Sequence, residues 1–548
     1  MRTWRVRRAP VVLLAGALLL TACAASPSPG ASPSASRTSP AATSSSATAS
    51  PSTTAPSPPP AAAWAARVAA ENALAGTGAA LADRTRLKAH GLDAYADRVS
   101  VLPGQDVGLY VSTRTDQPVR VTAYRVGWYG GAGFRAVWHG TARGTVQASP
   151  VALDQPLSDA GGASGTKAVV APWRLSGVVP TTGWPEGMYV LRVDGRTASR
   201  LVPVTVRSAD ATGRLLVLDS PMTWQAYNAW GGRGLYGDES KAISRRSLAV
   251  SFDRPYDDGY GAGRFFTYVA PLLREAERLG LPLAWATDYD VALDPGLLHG
   301  ASGVVIGSHQ EYWTAPEWEA VVAAARAGTN VAFFGANTAY WRVRLAGRSV
   351  ALAAEPSRRD GRPRIVFGPK DARLDPLAST DPSGATARFR DQPFPRAEER
   401  LTGLRYDCYP VHAAWVVSDA SWWGYAGTGL RDGSQLPGLI GPESDRLVGA
   451  ADLPRPMQVV AQSPTTCRGH RTVHAAVYWS TPAGAGVFTA GTMGWAGGLV
   501  RADVATVVRA ITDNVLRRFA QPHAGASAPP RDDIASVDPP STVPAPPP

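Results

Sequence analysis

The sequence predicts an all-β domain followed by an α/β domain whose parallel sheet is flanked by helices. Residues 107–113, 119–125 and 188–193 alternate apolar and polar with period two, between clusters of Gly, Pro and Asp, as half-buried strands do. From Thr212 the rhythm changes to short apolar runs alternating with amphipathic stretches, the pattern of strand–helix–strand units. The span between the chain ends, residues 61–520, is long enough for two domains with sizeable cores.

Taken in order, the chain opens on a targeting segment. Arg2, Arg5, Arg7 and Arg8 form a basic region, and residues 11–20 form an apolar core too short to span a bilayer comfortably. Leu20-Thr21-Ala22-Cys23 then looks like a bacterial lipobox, in which Cys23 is lipidated and becomes the mature N-terminus. The alternative is an ordinary signal peptide with an incidental cysteine. A lipid on Cys23 would anchor an exported chain to the outer face of the cell membrane without a spanning helix. Residues 24–60 are almost wholly Ser, Pro, Ala and Thr, with no apolar surface to offset the entropy of ordering. The expected bounds are therefore a signal peptide over 1–22 and a disordered tether over 23–60. A helical segment over 61–93, a β-sandwich over 94–210, an α/β domain over 211–520 and a disordered Pro-rich tail over 521–548 follow.

After Cys23 only Cys408 and Cys467 remain, and in an exported protein they are expected to pair as a disulfide rather than stay two separate buried thiols. Formal charge is +11, and four of these charges are the arginines of the leader, which leaves a mild +7. With no Lys/Arg-rich run and no nucleic-acid module, DNA and RNA are excluded as partners.

Residues 94–207 resemble a β-sandwich of immunoglobulin type, without that fold's disulfide. Within it, Tyr124-Arg125-Val126-Gly127-Trp128-Tyr129-Gly130-Gly131 is unusually aromatic, as either a contact surface or a packed strand end. In the α/β region, strands are expected at 214–218, 283–286, 304–306 and 330–334, and helices at 264–279, 315–327 and 501–519. Residues 363–498 give a mixed signal of short strands and loops.

Chemistry gathers at three strand ends. Ligands of open α/β sheets bind in the crevice beyond the carboxyl ends of strands. The apolar run 304–306 stops at Gly307 and discharges Ser308-His309-Gln310-Glu311-Tyr312-Trp313 there. The bland reading of these residues is a Ser/Glu cap on the helix that follows. The run after 214–218 carries Ser220 and Thr223-Trp224-Gln225-Ala226-Tyr227-Asn228, then Gly234-Leu235-Tyr236. The third strand leads into Gly335-Ala336-Asn337 and Tyr340-Trp341-Arg342-Val343-Arg344. If the three strands are neighbours, these loops meet in one crevice.

Together with Phe252-Asp253-Arg254-Pro255-Tyr256, Leu404-Arg405-Tyr406 and Gly491-Thr492-Met493-Gly494-Trp495, these motifs resemble the large (beta) subunit family of N,N-dimethylformamidase, over about residues 100 to 520. The resemblance implies a β-sandwich followed by a class I glutamine amidotransferase-like α/β domain, and hydrolysis of small formamides at a mononuclear iron site made of two tyrosines and a glutamate. Carried over by motif, the ligands are Tyr227, Tyr236 and Glu311, with Tyr256 competing for the second tyrosine. His309 and Asn337 would serve proton transfer and carbonyl orientation, and Glu443 would be a second carboxylate. Phenolate and carboxylate oxygens suit a hard, highly charged ion. No HExxH favours a zinc protease, no Gly-x-Ser-x-Gly marks a serine hydrolase, and neither remaining cysteine sits on a nucleophile elbow.

Two expectations follow for function. The first is a membrane-anchored, iron-dependent hydrolase of C–N amide bonds acting on a small, formamide-type substrate. The second is a non-catalytic envelope lipoprotein whose Trp224, Trp230, Trp313 and Trp341 line a cleft for a glycan or peptide. The characterised amidase works with a separate small subunit and needs no membrane tether, so substrate and partners stay open.

Overall fold

The computed structural model describes residues 60–534 apart from 155–156, 158–160, 239–244, 348–360, 392–394 and 450–452. Cys23, the leader, the tether up to residue 59 and the tail from residue 535 lie outside the described residues. Among the described residues, no helix is long and apolar enough to cross a membrane.

The β part holds a three-stranded sheet in the order Leu92–Ala96, Val107–Thr113, Gly177–Val179, and a five-stranded sheet. The latter runs Ser100–Val101, Ser199–Val206, Gly187–Asp194, Gln117–Val126, Phe134–Gly144. Leu109 and Val111 of the first sheet share a buried cluster with Val121, Leu191, Val193 and Val202 of the second. This is the packing that period-two alternation requires. The strand at Leu92 begins inside the segment expected to be helical, where helix is confined to Ala61–Asn72, a short 3-10 turn at Ala79–Leu81 and Arg84–Lys88. The aromatic stretch is a packed strand end: Tyr129 is buried, its hydroxyl donates to Glu71 at 2.6 Å, and the Trp128 N–H donates to Asn72 at 2.7 Å.

The α/β part is built on a seven-stranded sheet. Its order is Leu283–Thr287, Leu215–Asp219, Gly303–Ile306, Asn330–Phe333, Gly486–Thr489, His470–Ser480, Met457–Cys467. The first five strands are parallel, and the last two are antiparallel to their neighbours. Val217, Val305 and Phe488 face one core, while Leu218, Ile306, Phe333 and Val487 face another on the opposite side. Strands buried on both faces read as continuous apolar runs, which is how they were legible.

Two expectations are corrected. The amphipathic stretch 264–279 is two helices, Phe265–Tyr268 and Ala270–Arg278, broken at Val269. Pro271 lacks the N–H that would bond back across the break. The chain beyond 520 packs as far as Ile534: Ala524–Ser527 is helical, and Asp532 and Asp533 accept from the Met457 and Val459 N–H groups at 3.2 and 2.9 Å. Those carboxylates satisfy outward-facing donors of an edge strand that would otherwise be free to pair.

Cys408 and Cys467 are joined, with Cα atoms 6.2 Å apart and a sequence separation of 59. Closing a loop of that length removes about 4 kcal/mol of unfolded-chain entropy. The double variant Cys408→Ser, Cys467→Ser should therefore lose roughly that much unfolding free energy and unfold at a lower denaturant midpoint, and an unchanged midpoint would contradict it.

Candidate metal centre

Each of the three loops is shaped by its own residues. Pro221 opens the helix Pro221–Tyr227, which ends with the Tyr227 side chain at its last position. Gly231 and Gly232 follow at φ +76° and +83°, turning the chain back so that Tyr236 stands beside Tyr227. Their rings stack with centroids 4.5 Å apart. After Gly303–Ile306 the backbone passes close to the third loop: a side chain at Gly335 would meet the Ser308 carbonyl oxygen at 2.5 Å. Tyr340 and Trp341 donate their N–H groups to the Glu311 carbonyl at 3.0 and 2.9 Å. The cap of the following helix Ala315–Arg326 is the Thr314/Glu317 box. Ser308 and Glu311 are thereby left to other work.

Around the Glu311 carboxylate the site closes up. Tyr227 OH donates to Oε2 at 2.5 Å and Tyr236 OH to Oε1 at 2.9 Å. The two phenol oxygens are 3.2 Å apart, and Tyr312 OH donates to Tyr236 OH at 2.9 Å. Tyr256 is elsewhere, edge-on to Trp224 at 6.1 Å. His309 Nε2 stands 3.6 Å from Glu311 Oε2 and 3.8 Å from Glu443 Oε2. Asn337, at φ +55°, donates its backbone N–H to Asp445 at 2.9 Å. Glu443 is fixed from two sides. The strand Ser444–Arg446 pairs with Arg405–Cys408, and the Met493 N–H donates to the Glu443 carbonyl at 3.3 Å. The Leu404-Arg405-Tyr406 and Gly491-Thr492-Met493 motifs thus hold the second carboxylate in position.

Burial and charge split the titrating groups. Burial opposes ionisation of Glu311, but His309, Lys370 and the Tyr227 hydroxyl outweigh it and hold the carboxyl below its ordinary range. Burial, and then the Glu311 charge, push Glu443 well above that range. Ionisation is thus favoured at one carboxylate and opposed at its neighbour, a division suited to acid and base roles. Burial keeps His309 neutral. Three residues were not singled out from sequence. Tyr312 is a third phenol, Lys370 Nζ lies 3.0 Å from the Tyr236 ring centre, and the Arg264 guanidinium lies 4.0 Å from that of Tyr227.

Among the described residues, no group of three or more His, Cys, Asp and Glu side chains could hold a metal. The donor set here is different, one carboxylate with two phenols on it. Burial pushes both phenols well above their ordinary pKa, so they lose protons only to a strongly charged ion. Both nitrogens of His309, Asn337 Oδ1 and Glu443 Oε2 are buried without hydrogen-bond partners. Unmet polar atoms around one carboxylate are what a site for an ion and a polar substrate leaves behind. The residues present fit a hard multivalent cation.

Of the four tryptophans expected to line a cleft, Trp224, Trp313 and Trp341 are buried, and Trp230 packs edge-on to Trp173 at 5.6 Å.

Farther from this centre, Asp219 ends its strand in full burial, which raises its carboxyl to about 8. The folded state keeps a proton that the unfolded state loses near the ordinary 3.8. Its contribution is complete below that value and is lost as pH rises through about 8. Asp219→Asn mimics the protonated form, so it should raise the melting temperature at pH 8 more than at pH 5. An equal shift at both would contradict this.

No curated protein matches the chain. The family model described as N,N-dimethylformamidase beta subunit-like, C-terminal, matches residues 120–507, which include Tyr227, Tyr236, His309, Glu311, Asn337 and Glu443. The chain belongs to the N,N-dimethylformamidase beta subunit-like family.

Proposed function

We propose that this protein is an iron-dependent hydrolase of C–N amide bonds, with Tyr227, Tyr236 and Glu311 as the protein ligands and a small, formamide-type amide as substrate. The observation that carries the reading is the convergence of two phenols on the two oxygens of one buried, ionised carboxylate. A bound iron ion would supply Lewis acidity toward an amide carbonyl and toward water.

The remaining work falls to the chain's own groups. His309 is neutral and has a free ring nitrogen, so it accepts the proton that the attacking water loses as its oxygen bonds to the carbonyl carbon. Asn337 orients the carbonyl. Glu443, held protonated, donates to the nitrogen as the C–N bond breaks, and the products are a carboxylic acid and an amine. Glu311 stays ionised throughout.

The two parts of the chain are proposed to be an immunoglobulin-like sandwich and a class I glutamine amidotransferase-like domain. Mainly antiparallel sheets sharing one core and a mainly parallel sheet buried on both faces support that reading. Anchoring through Cys23 on the outer face of the membrane is proposed from the lipobox pattern and its tether. Amine release from formamide and N-methylformamide by iron-reconstituted protein tests the activity. No release from either, with iron bound, would overturn it.

A further inference from the structure

The Phe252-Asp253-Arg254-Pro255-Tyr256 motif is left without a role by the proposed chemistry. Arg254 is only 1 % exposed, and among the described residues no carboxylate bonds to it. Its Nε–H donates to the Gln225 side-chain oxygen at 3.1 Å. Its Nη1 donates to the carbonyls of Trp230 and Arg233 at 3.1 and 2.8 Å, and its Nη2 to those of Gln225 and Asn228 at 3.2 and 2.9 Å. All five N–H groups of the guanidinium are thus spent on one stretch of chain, residues 225–233. That stretch carries Tyr227 and leads directly into Tyr236.

The same two segments are stitched again beside it. Asn228 Nδ2 donates to the Pro255 carbonyl at 2.8 Å, and the Ala229 N–H donates to Asp257 at 2.9 Å. The loop closes where the Leu235 N–H meets the Ala226 carbonyl at 3.1 Å. A side chain at Gly234 would come within 2.6 Å of the Asn228 carbonyl oxygen, which Arg254 also holds. A loop with two glycines at positive φ would otherwise be free to separate the tyrosines.

We propose that Arg254 is a positioning residue, a clamp that fixes the spacing of the Tyr227 and Tyr236 oxygens before any ion arrives. The proposal rests on the metal-centre reading for what the spacing serves. A guanidinium is required because its planar fork reaches four carbonyls at once, whereas an ammonium offers three donors at one point.

The test compares Arg254→Lys with Arg125→Lys, a control at an arginine buried to the same 1 % but bonded to Glu277 and remote from the loop. Two readouts are taken on the full chain: amide hydrogen exchange in metal-free protein, and iron affinity by titration. Arg254→Lys should speed exchange over residues 226–237 at least about tenfold beyond the control, and weaken iron binding by about 10- to 100-fold. Unchanged loop exchange, or a loosened loop with unchanged iron affinity, would overturn the clamp. Should Arg254→Lys not fold, Gln225→Met removes the side-chain oxygen that accepts from Arg254 Nε and from Asn228 Nδ2, and the same loop should exchange faster; no change there overturns the proposal. If wild-type protein binds no iron, the metal-centre reading fails first. Loop exchange in the variants then reports a structural clamp only, and the positioning role falls with that reading.

Discussion

Replacing Glu311 by Gln is expected to abolish iron retention while leaving the fold intact. Glu311 accepts a hydrogen bond from each phenol, at 2.5 and 2.9 Å, on its two oxygens. An amide keeps one acceptor and turns an NH2 toward the other phenol, so one hydroxyl loses its partner. It also removes the negative charge that an ion between these oxygens requires. Iron affinity should fall by more than about 100-fold, roughly 3 kcal/mol. The isosteric change should cost only about 1–3 kcal/mol of folding stability. Iron content after desalting and the melting temperature are read together. Full iron in a Glu311→Gln protein would remove this residue from the ligand set.

Glu443→Gln should do the opposite, keeping iron and losing turnover. Burial and the Glu311 charge hold Glu443 protonated, so its value is as a proton donor at neutral pH. Glutamine preserves size and hydrogen bonding but cannot give up a proton to a leaving nitrogen. Positioned acid catalysis contributes about 10²–10⁴-fold, and kcat should fall within that range with KM little changed. An unaltered kcat would leave Glu443 as a packing residue and transfer the acid role elsewhere.

The parallel strands were readable because burial on both faces leaves uninterrupted apolar runs, and the site was readable because those runs stop at residues that bear chemistry. The Gly307 and Gly335 endings bring His309, Glu311 and Asn337 into one buried cluster, since the strands they end are neighbours. Lys370 and Arg264 were not readable. Each reaches the tyrosines from a distant loop, and a single cation in a sequence carries no sign of the ring it will cover. The role of Arg254 was hidden for a related reason, because its partners are backbone carbonyls, which have no sequence signature. Composition misled at the C-terminal side, where Pro and Ala suggested disorder while Asp532 and Asp533 bind a sheet edge. Tyr256 competes with Tyr236 in sequence, and only in three dimensions does the two-glycine turn stand Tyr236 beside Tyr227 while Tyr256 packs against Trp224.

The central claim, that two phenols and one carboxylate hold an iron ion, is tested most directly by elemental analysis of the purified protein together with its absorption spectrum. Near-stoichiometric iron with a visible phenolate-to-iron band, lost in Glu311→Gln, is the result expected here. Protein that takes up no iron after reconstitution, or iron without that band, would contradict it and leave Tyr227 and Tyr236 as a hydrogen-bonded pair on a buried glutamate.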